Sequence, residues 1–310
     1  MGIHEVINQL EQMRKNRNLL NIISICCFVA YVIAQSFAEY SFDYHELLMG
    51  GSFFFLGVGA ICLAMQKKMA NEYKKIYKET FVKGILNEQF DNVEYYGERG
   101  FDTNAVKEFG LTKLGNIFKS EDYLRAKYKG INFVQADVTI QYKTYGKNSH
   151  TTTYFKGRMF AFEVPEKRVL SVQLFSNNFN YRAGTISKFK ANKIQMESEY
   201  FNREFDIKSV NSMDAFLVLT PPMMEKINKI KSTYGNVGMH FCGNKLYVGI
   251  NMSGDAFDGD IKRKIDYFEE KQATMRDLNV IKDIIDTIGM ENEIPDNTDN
   301  TIKYSIPYNR

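Results

Sequence analysis

The 310-residue sequence is poor in the side chains that carry covalent or metal chemistry. It has four cysteines, four histidines and no C-x-x-C pair. Cys26, Cys27 and Cys62 fall in apolar runs and Cys242 stands alone downstream, so no disulfide framework is encoded, which fits a reducing compartment. His240 and Cys242 are two apart in a strand-like stretch and point the same way, a spacing that offers two metal ligands. His4, His45 and His150 are too scattered to complete a set, so two ordinary sheet residues are the better account. There is no H-E-x-x-H, no G-x-S-x-G and no phosphate loop, so the sequence gives no sign of a catalytic centre or of a bound cofactor. Asp255, Asp258 and Asp260 lie among glycines, but the calcium-loop Gly and Glu are out of register. Capping of a following helix by Asp258 or Asp260 fits better. A large positive excess is missing too: 40 Lys and Arg face 37 Asp and Glu, which argues against a dedicated nucleic-acid binder.

Charge is absent altogether from two long stretches, Leu19–Ala38 and Leu47–Gln66. Twenty residues at helical rise cover the roughly 30 Å hydrocarbon core of a bilayer. Backbone polar groups in lipid must pair within the segment, so both runs are expected to be helical. The short link Glu39–Glu46 makes them a hairpin. That link is acidic and aromatic, whereas Arg14, Lys15 and Arg17 precede the hairpin and Lys67, Lys68, Lys74, Lys75 and Lys78 follow it. The positive-inside rule then puts both termini in the cytoplasm and the link outside. A cleaved signal peptide ending near Ala34–Ala38 is the competing reading; the length of the first run and the presence of a second oppose it. Gly50, Gly57 and Ala64 recur every seven residues, and Cys27, Ala30 and Ala34 form a similar strip for close helix approach.

Five parts follow. Residues 1–18 form an amphipathic helix with Ile3, Val6, Ile7, Leu10 and Met13 on one side, facing the leaflet or another helix. Residues 19–66 are the hairpin, with spans 19–38 and 47–66. Residues 67–92 continue as a basic helix to about Asn87, with Met69, Tyr73, Ile76, Tyr77, Phe81 and Ile85 as its apolar stripe and the lysines off it. Residues 93–289 are a cytoplasmic domain, and 290–310 a loose tail.

Within the domain, Val93–Tyr96 is a short strand, Asp102 or Thr103 caps a helix over Asn104–Phe109, and Ser120–Tyr123 reads as a local cap or turn. Val134, Ala136, Val138 and Ile140 alternate with polar residues, a half-buried strand. Thr152–Val164 returns from it, with a bulge near Gly157 to reconcile its two sets of Phe, and Arg168–Phe175 follows. Asn177–Asn192 reads as a long exposed loop. Lys193–Glu197, Glu204–Val210 and Ala215–Leu219 read as strands, and Thr220 and Pro221 open a helix with Met223, Ile227 and Ile230 inside. Val237–Cys242 and Lys245–Met252 flank a Gly243-Asn244 turn, and a helix from Asp260 ends at Gly289. The expected class is α+β: a two-helix transmembrane hairpin, then an antiparallel meander sheet, open or curled into a partial barrel, covered by helices.

Four stretches resemble a bacterial family known as domain of unknown function 3137. They are Tyr73-Lys74-Lys75-Ile76-Tyr77-Lys78-Glu79, Tyr154-Phe155-Lys156-Gly157-Arg158-Met159-Phe160, Phe201-Asn202-Arg203-Glu204-Phe205-Asp206-Ile207, and the run from Leu217 through Thr220-Pro221-Pro222 to Ile227. The resemblance spans about Glu72 to Gly289 and departs at Glu197-Ser198-Glu199 and Met213-Asp214-Ala215. It implies a membrane-anchored protein of the bacterial envelope and carries over no activity or site residue.

Two surfaces stand out. Lys67, Lys68, Lys74, Lys75 and Lys78 are placed to meet an anionic inner leaflet, where each Lys contributes about 1 kcal/mol. Phe179, Tyr181, Arg182, Lys188 and Lys190 mark the long loop as a contact surface for a protein partner. The expected function is a membrane-tethered, non-enzymatic interaction module at the inner face. The alternatives are a lipid or small-ligand binder using the sheet as a cup, and a membrane-associated hydrolase.

Overall fold

A computed structural model describes residues 3–40, 45–164, 169–179, 192–252 and 257–289. The chain divides into two compact units. The first comprises the N-terminal helices to Gly84 together with Asp258–Ala273. The second holds Ile85–Phe257 and the chain from Thr274 onward.

In the first unit, α1 (Ile3–Tyr40) and α2 (His45–Ile76) are each continuous helices. The amphipathic segment and the first apolar run are therefore one element. Both helices are long and apolar enough to cross a membrane. Their polar side chains turn toward each other: Ser52 is fully buried and accepts a hydrogen bond of 2.8 Å from Gln35, and Ser24 and Gln66 are buried too. Leu19, Ile22, Phe28, Phe37, Phe54 and Ile61 point outward and are more than half exposed.

The seven-residue strip of small residues lies elsewhere than the sequence suggested. A Cβ at Gly50 or Gly57 would meet nothing, whereas one at Gly59 would lie 3.6 Å from the Cys27 Cβ. The packed strip is Ser52, Gly59 and Cys62, while Gly50, Gly57 and Ala64 face outward. Two residues along a helix is more than half a turn, and the need to enclose Ser52 and Gln66 selects the phase.

The second unit is built on one antiparallel sheet that does not close, in the order β1-β2-β3-β4-β9-β8-β5-β7-β6. These are β1 (Asp91–Tyr96), β2 (Ile117–Tyr128), β3 (Ile131–Lys143), β4 (Thr151–Glu163), β5 (Val169–Ser176), β6 (Asn192–Ile194), β7 (Phe205–Ser209), β8 (Val237–Gly243) and β9 (Lys245–Asn251), with short helices α3 (Lys83–Gln89) before β1 and α5 (Glu199–Glu204) before β7. The first four form a meander. The β8–β9 hairpin then inserts between β4 and β5, so the sheet is open and is not a simple meander.

Both faces of the central strands are buried, where the alternation in β3 had suggested one. On one face Val134, Ala136, Val138, Ile140, Phe155 and Met159 pack with Val106 and Phe109 of α4 (Thr103–Phe109). On the other, Phe133, Gln135 and Asp137 of β3 stand opposite Phe162, Phe160 and Arg158 of β4. Leu246, Val248 and Ile250 of β9 extend that row. Asp137 tolerates burial because Arg158 Nε lies 3.1 Å from its carboxylate. The buried Gln135 amide has no protein partner among the described residues. The second face is tied to α8 (Tyr267–Ile288), where Arg158 Nη1 donates to the Asp277 carbonyl at 2.8 Å.

Several expectations are met. Asp102 caps α4, accepting from Ala105 N at 2.7 Å. Pro221 opens α7 (Pro221–Tyr234) with Ile227 and Ile230 buried, although Met224 rather than Met223 completes the buried face, and Gly289 ends α8 at φ +73°.

Others are corrected. Ser120–Tyr123 is not a turn but a bulge within β2, with Asp122 at φ +59° and its register shifted between Glu121 and Leu124. No bulge sits at Gly157; the β3–β4 irregularity is near Tyr154, and β4 is buried on both sides, which accounts for both sets of Phe. Gly157 instead meets β9 so closely that a Cβ would lie 2.0 Å from the Ile250 carbonyl oxygen. Of Lys193–Glu197 only the start is strand, as β6. Ala215–Leu219 is not a strand: Asn211 caps a helix, α6 (Ser212–Val218), by accepting from Met213 N. The pattern that resembled alternation is a helical one, with Asp214, Ala215 and Val218 buried and Met213, Phe216 and Leu217 exposed. α8 starts later than Asp260 and is capped by Asp266, which accepts from Phe268 N and Glu269 N.

Candidate functional site: the root of the apolar helix pair

Beyond the apolar runs the two helices continue side by side as a stalk. Val6 and Leu10 of α1 are fully buried, so in this structure the amphipathic face meets protein. α2 passes into a π-helical turn, Tyr77–Val82, in which Lys83 N reaches back to the Lys78 carbonyl. The extra residue per turn widens the buried stripe, so that Lys78 and Val82 join Tyr77 and Phe81 inside. Turns of this kind cluster at functional positions.

The sequence set the five lysines on one exposed surface, and the structure separates them. Lys67, Lys68 and Lys75 are exposed. Lys74 is exposed and bonded to Asp258 at 2.6 Å. Lys78 departs from the expected surface position: it is 5% exposed, and its ammonium lies 3.0 Å from the other Asp258 oxygen. Burial pushes the Asp258 carboxyl up, but the bonds and charge of Lys74 and Lys78 outweigh it and hold the carboxyl below its ordinary value.

The segment Asp258–Ala273 grips the stalk at further points. Gly259 lies against the Tyr77 ring, where a Cβ would come within 2.7 Å. Tyr77 donates to Glu270 at 2.7 Å, and Tyr267 meets Phe81 edge to face. Ile265 N donates to Glu11 of α1 at 2.8 Å, and Glu11 also takes a two-point bond from Arg14. Burial raises the Glu11 carboxyl, and Arg14 with the Ile265 amide more than reverses that. Tyr73, buried beside this set, has its phenol pushed up by burial first and then by Glu270, Glu11 and Asp260. The arrangement clasps two helices together.

Sequence reasoning missed Asp258, Glu270 and Glu11 as partners of the stalk. They lie up to 254 residues from what they hold, and no local pattern marks such a pair. One sign was present: Lys74 and Lys78 are four apart, hence on one helix face, with two aromatics beside them.

In the other predicted surface, Phe179 is not exposed. It is 2% accessible and packs on Phe155 and Phe175 in the core. Tyr181, Arg182, Lys188 and Lys190 lie outside the described residues. His240 is buried with Nδ1 2.9 Å from the Phe109 carbonyl and Nε2 3.0 Å from Ser171 Oγ. Burial lowers its pKa against the opposing effect of the Phe109 bond. Both ring nitrogens are thus engaged within the protein. A cleft of about 220 Å³ is lined by Lys229, Ile230, Thr233 and Tyr234 of α7 and by Asp283, Asp286 and Thr287 of α8. It is polar, unlike an apolar cup for a lipid tail.

These features define a class: a mixed α/β chain with an apolar helix pair, clasped at its root by a later segment, and an open antiparallel sheet of nine strands among the described residues. Residues 153–290 match the model of the family described as Protein of unknown function (DUF3137). The expected resemblance is thus shown over a shorter span than Glu72–Gly289, and the Tyr73–Glu79 motif lies outside it. The matched span takes in nearly all of β4 and all of β5 to β9, which are contiguous in the sheet. No curated protein matches the chain. Among solved structures, the crystal structure of the mycobacterial trehalose monomycolate transport factor A, TtfA, is similar at 9% identity and a TM-score of 0.37, covering 71% of this chain and 98% of that one.

Proposed function

We propose that the chain is a membrane-tethered, non-enzymatic interaction module. In this reading α1 and α2 cross the cytoplasmic membrane as a hairpin with its tip outside. Both termini and the sheet lie on the cytoplasmic side. Lys67, Lys68 and Lys75 meet anionic headgroups of the inner leaflet, and the sheet is held there for a protein partner.

One observation carries the tether: the helix pair is inside out. Polar Ser24, Gln35, Ser52 and Gln66 line the seam and the large apolar side chains face outward. Only 6% of the most apolar window of α1 is buried, and 17% of that of α2. Water would not leave such a surface bare, whereas lipid covers it at no cost. The interaction role is supported by Met213, Phe216 and Leu217, an exposed apolar stripe on α6.

The test is topology in intact cells, with single cysteines at Ser41, which lies outside the described residues, and at exposed Ser232, in a variant lacking the native four cysteines. An impermeant thiol reagent is expected to label Ser41 only. Labelling of Ser232 from outside overturns the orientation, and release of the chain by alkaline carbonate overturns the tether.

A further inference from the structure

The β3–β4 hairpin ends in a surface rich in lysine and tyrosine. No Asp or Glu occurs from Gly110 to Ser120 or from Val138 to Phe162. The register brings these two stretches together, with Ile117 opposite Gln141 and Tyr142 opposite Thr152. Lys113, Lys119, Lys143, Lys147 and Lys156 fall within them; Arg158 is spent on buried Asp137, and Lys119 on Glu121. One end of a nearly neutral chain is therefore cationic.

Aromatic rings stand among those cations. Tyr145 is 77% exposed and Tyr142 44%. Tyr142 stacks on Tyr154 at 6.0 Å, Lys113 lies 5.2 Å from the Tyr154 ring centre, and Lys143 5.8 Å from that of Tyr145. The turn beneath is built rather than loose. Thr144 N donates to the His150 carbonyl and His150 N to Thr144 Oγ1, both at 2.9 Å. Asn116 bonds the Lys143 backbone twice, through its amide and its oxygen, at 2.8 Å each. The rings and ammonium groups are thus presented on a fixed platform.

We infer that this tip docks on anionic phospholipid headgroups. Tyr rings favour the boundary between headgroups and hydrocarbon, and clustered Lys favours an anionic leaflet. The inference rests on the tethered reading for its choice of occupant. A domain anchored beside a bilayer meets that surface at high effective concentration, so a few lysines and two rings suffice. Single-stranded nucleic acid is read by similar chemistry, but along a positively charged groove rather than on one turn.

The chain contains no tryptophan, so Tyr145→Trp introduces a unique reporter. Full-length Tyr145→Trp protein is reconstituted into vesicles of phosphatidylcholine alone or mixed with phosphatidylglycerol. With phosphatidylglycerol the emission is expected to shift to the blue and to be quenched by brominated lipid, and high salt should reverse both. Replacing Lys113, Lys143 and Lys147 with Gln should weaken docking about a hundredfold, so that the shift is lost at the phosphatidylglycerol fraction that gives the parent half of it. Equal emission in neutral and anionic vesicles overturns the inference, as does a shift caused by an oligonucleotide and not by vesicles. Flotation with neutral vesicles after a carbonate wash tests the tether separately. If flotation fails, the same chain mixed with anionic vesicles still reports on the tip, and unshifted emission there overturns it.

Discussion

Arg158 and Asp137 sit directly across from each other on neighbouring strands, their side chains 3.1 Å apart and the guanidinium only 2% exposed. Phe257 lies over the same guanidinium, 5.5 Å from its centre. A charge held this deep is tolerable only while its partner is present. Asp137→Leu should therefore cost about 3–5 kcal/mol in chemical denaturation of the detergent-solubilised chain. Adding Arg158→Met should recover much of that loss, because the pair then leaves together. Additive losses in the double variant would mean that the two residues do not act as a pair.

The Asp258 clasp predicts a pH dependence. Its folded carboxyl titrates below the ordinary value of 3.8, so the pairing stabilises fully above that value and is lost as pH falls through the depressed one. At neutral pH, Asp258→Asn should destabilise the chain by about 1–3 kcal/mol, since it removes the carboxylate that both Lys74 and the buried Lys78 meet. The gap between wild type and variant in melting temperature should shrink below about pH 4. A gap that holds constant down to pH 2 would separate the effect from the ion pair.

Helix α6 makes a discriminating prediction in place of strand parity. Phe216→Asp and Leu217→Asp should each change stability by less than about 0.5 kcal/mol, both being exposed. Ala215→Asp and Val218→Asp should each cost about 2 kcal/mol or more by burying a charge. Denaturant midpoints of the four variants decide between helical and alternating burial.

Two glycines should respond very differently from their neighbours. Gly157→Ala has no room against the Ile250 carbonyl and should cost about 3 kcal/mol or more. In the helix pair, Gly57→Leu should leave disulfide trapping between single cysteines on α1 and α2 unchanged, whereas Gly59→Leu should abolish it.

Legibility followed the range of the forces involved. The Gly243-Asn244 hairpin, the Asp102 cap, Pro221 and Gly289 were readable because each is a local bargain among a few consecutive residues. β2 was missed because Asp122, at positive φ, interrupts its pattern in the middle. α6 was misread because Ala215 to Leu219 is too short to distinguish a period of two from one of 3.6. The polar alternation of β3 hid its second buried face, since nothing near Asp137 in sequence announces Arg158. At the stalk the lysine cluster was legible, but its division into free and clasped members was not. That division is set by Asp258, 184 residues from Lys74. Phe179 was assigned to the surface by its polar neighbours in the chain, and the core it joins comes from other strands.

The insertion of β8 and β9 between β4 and β5 has a consequence for the order in which the protein is made. When β4 leaves the ribosome, the strand that will cover its open edge, Lys245–Asn251, has not been synthesised. At ordinary elongation rates the interval is on the order of ten seconds. Through that time the nascent chain carries an uncovered edge rich in Phe, able to pair with any other extended chain. On the proposed tether, the apolar helix hairpin precedes β4 into the bilayer and would keep successive nascent copies apart while the edge waits for its partner.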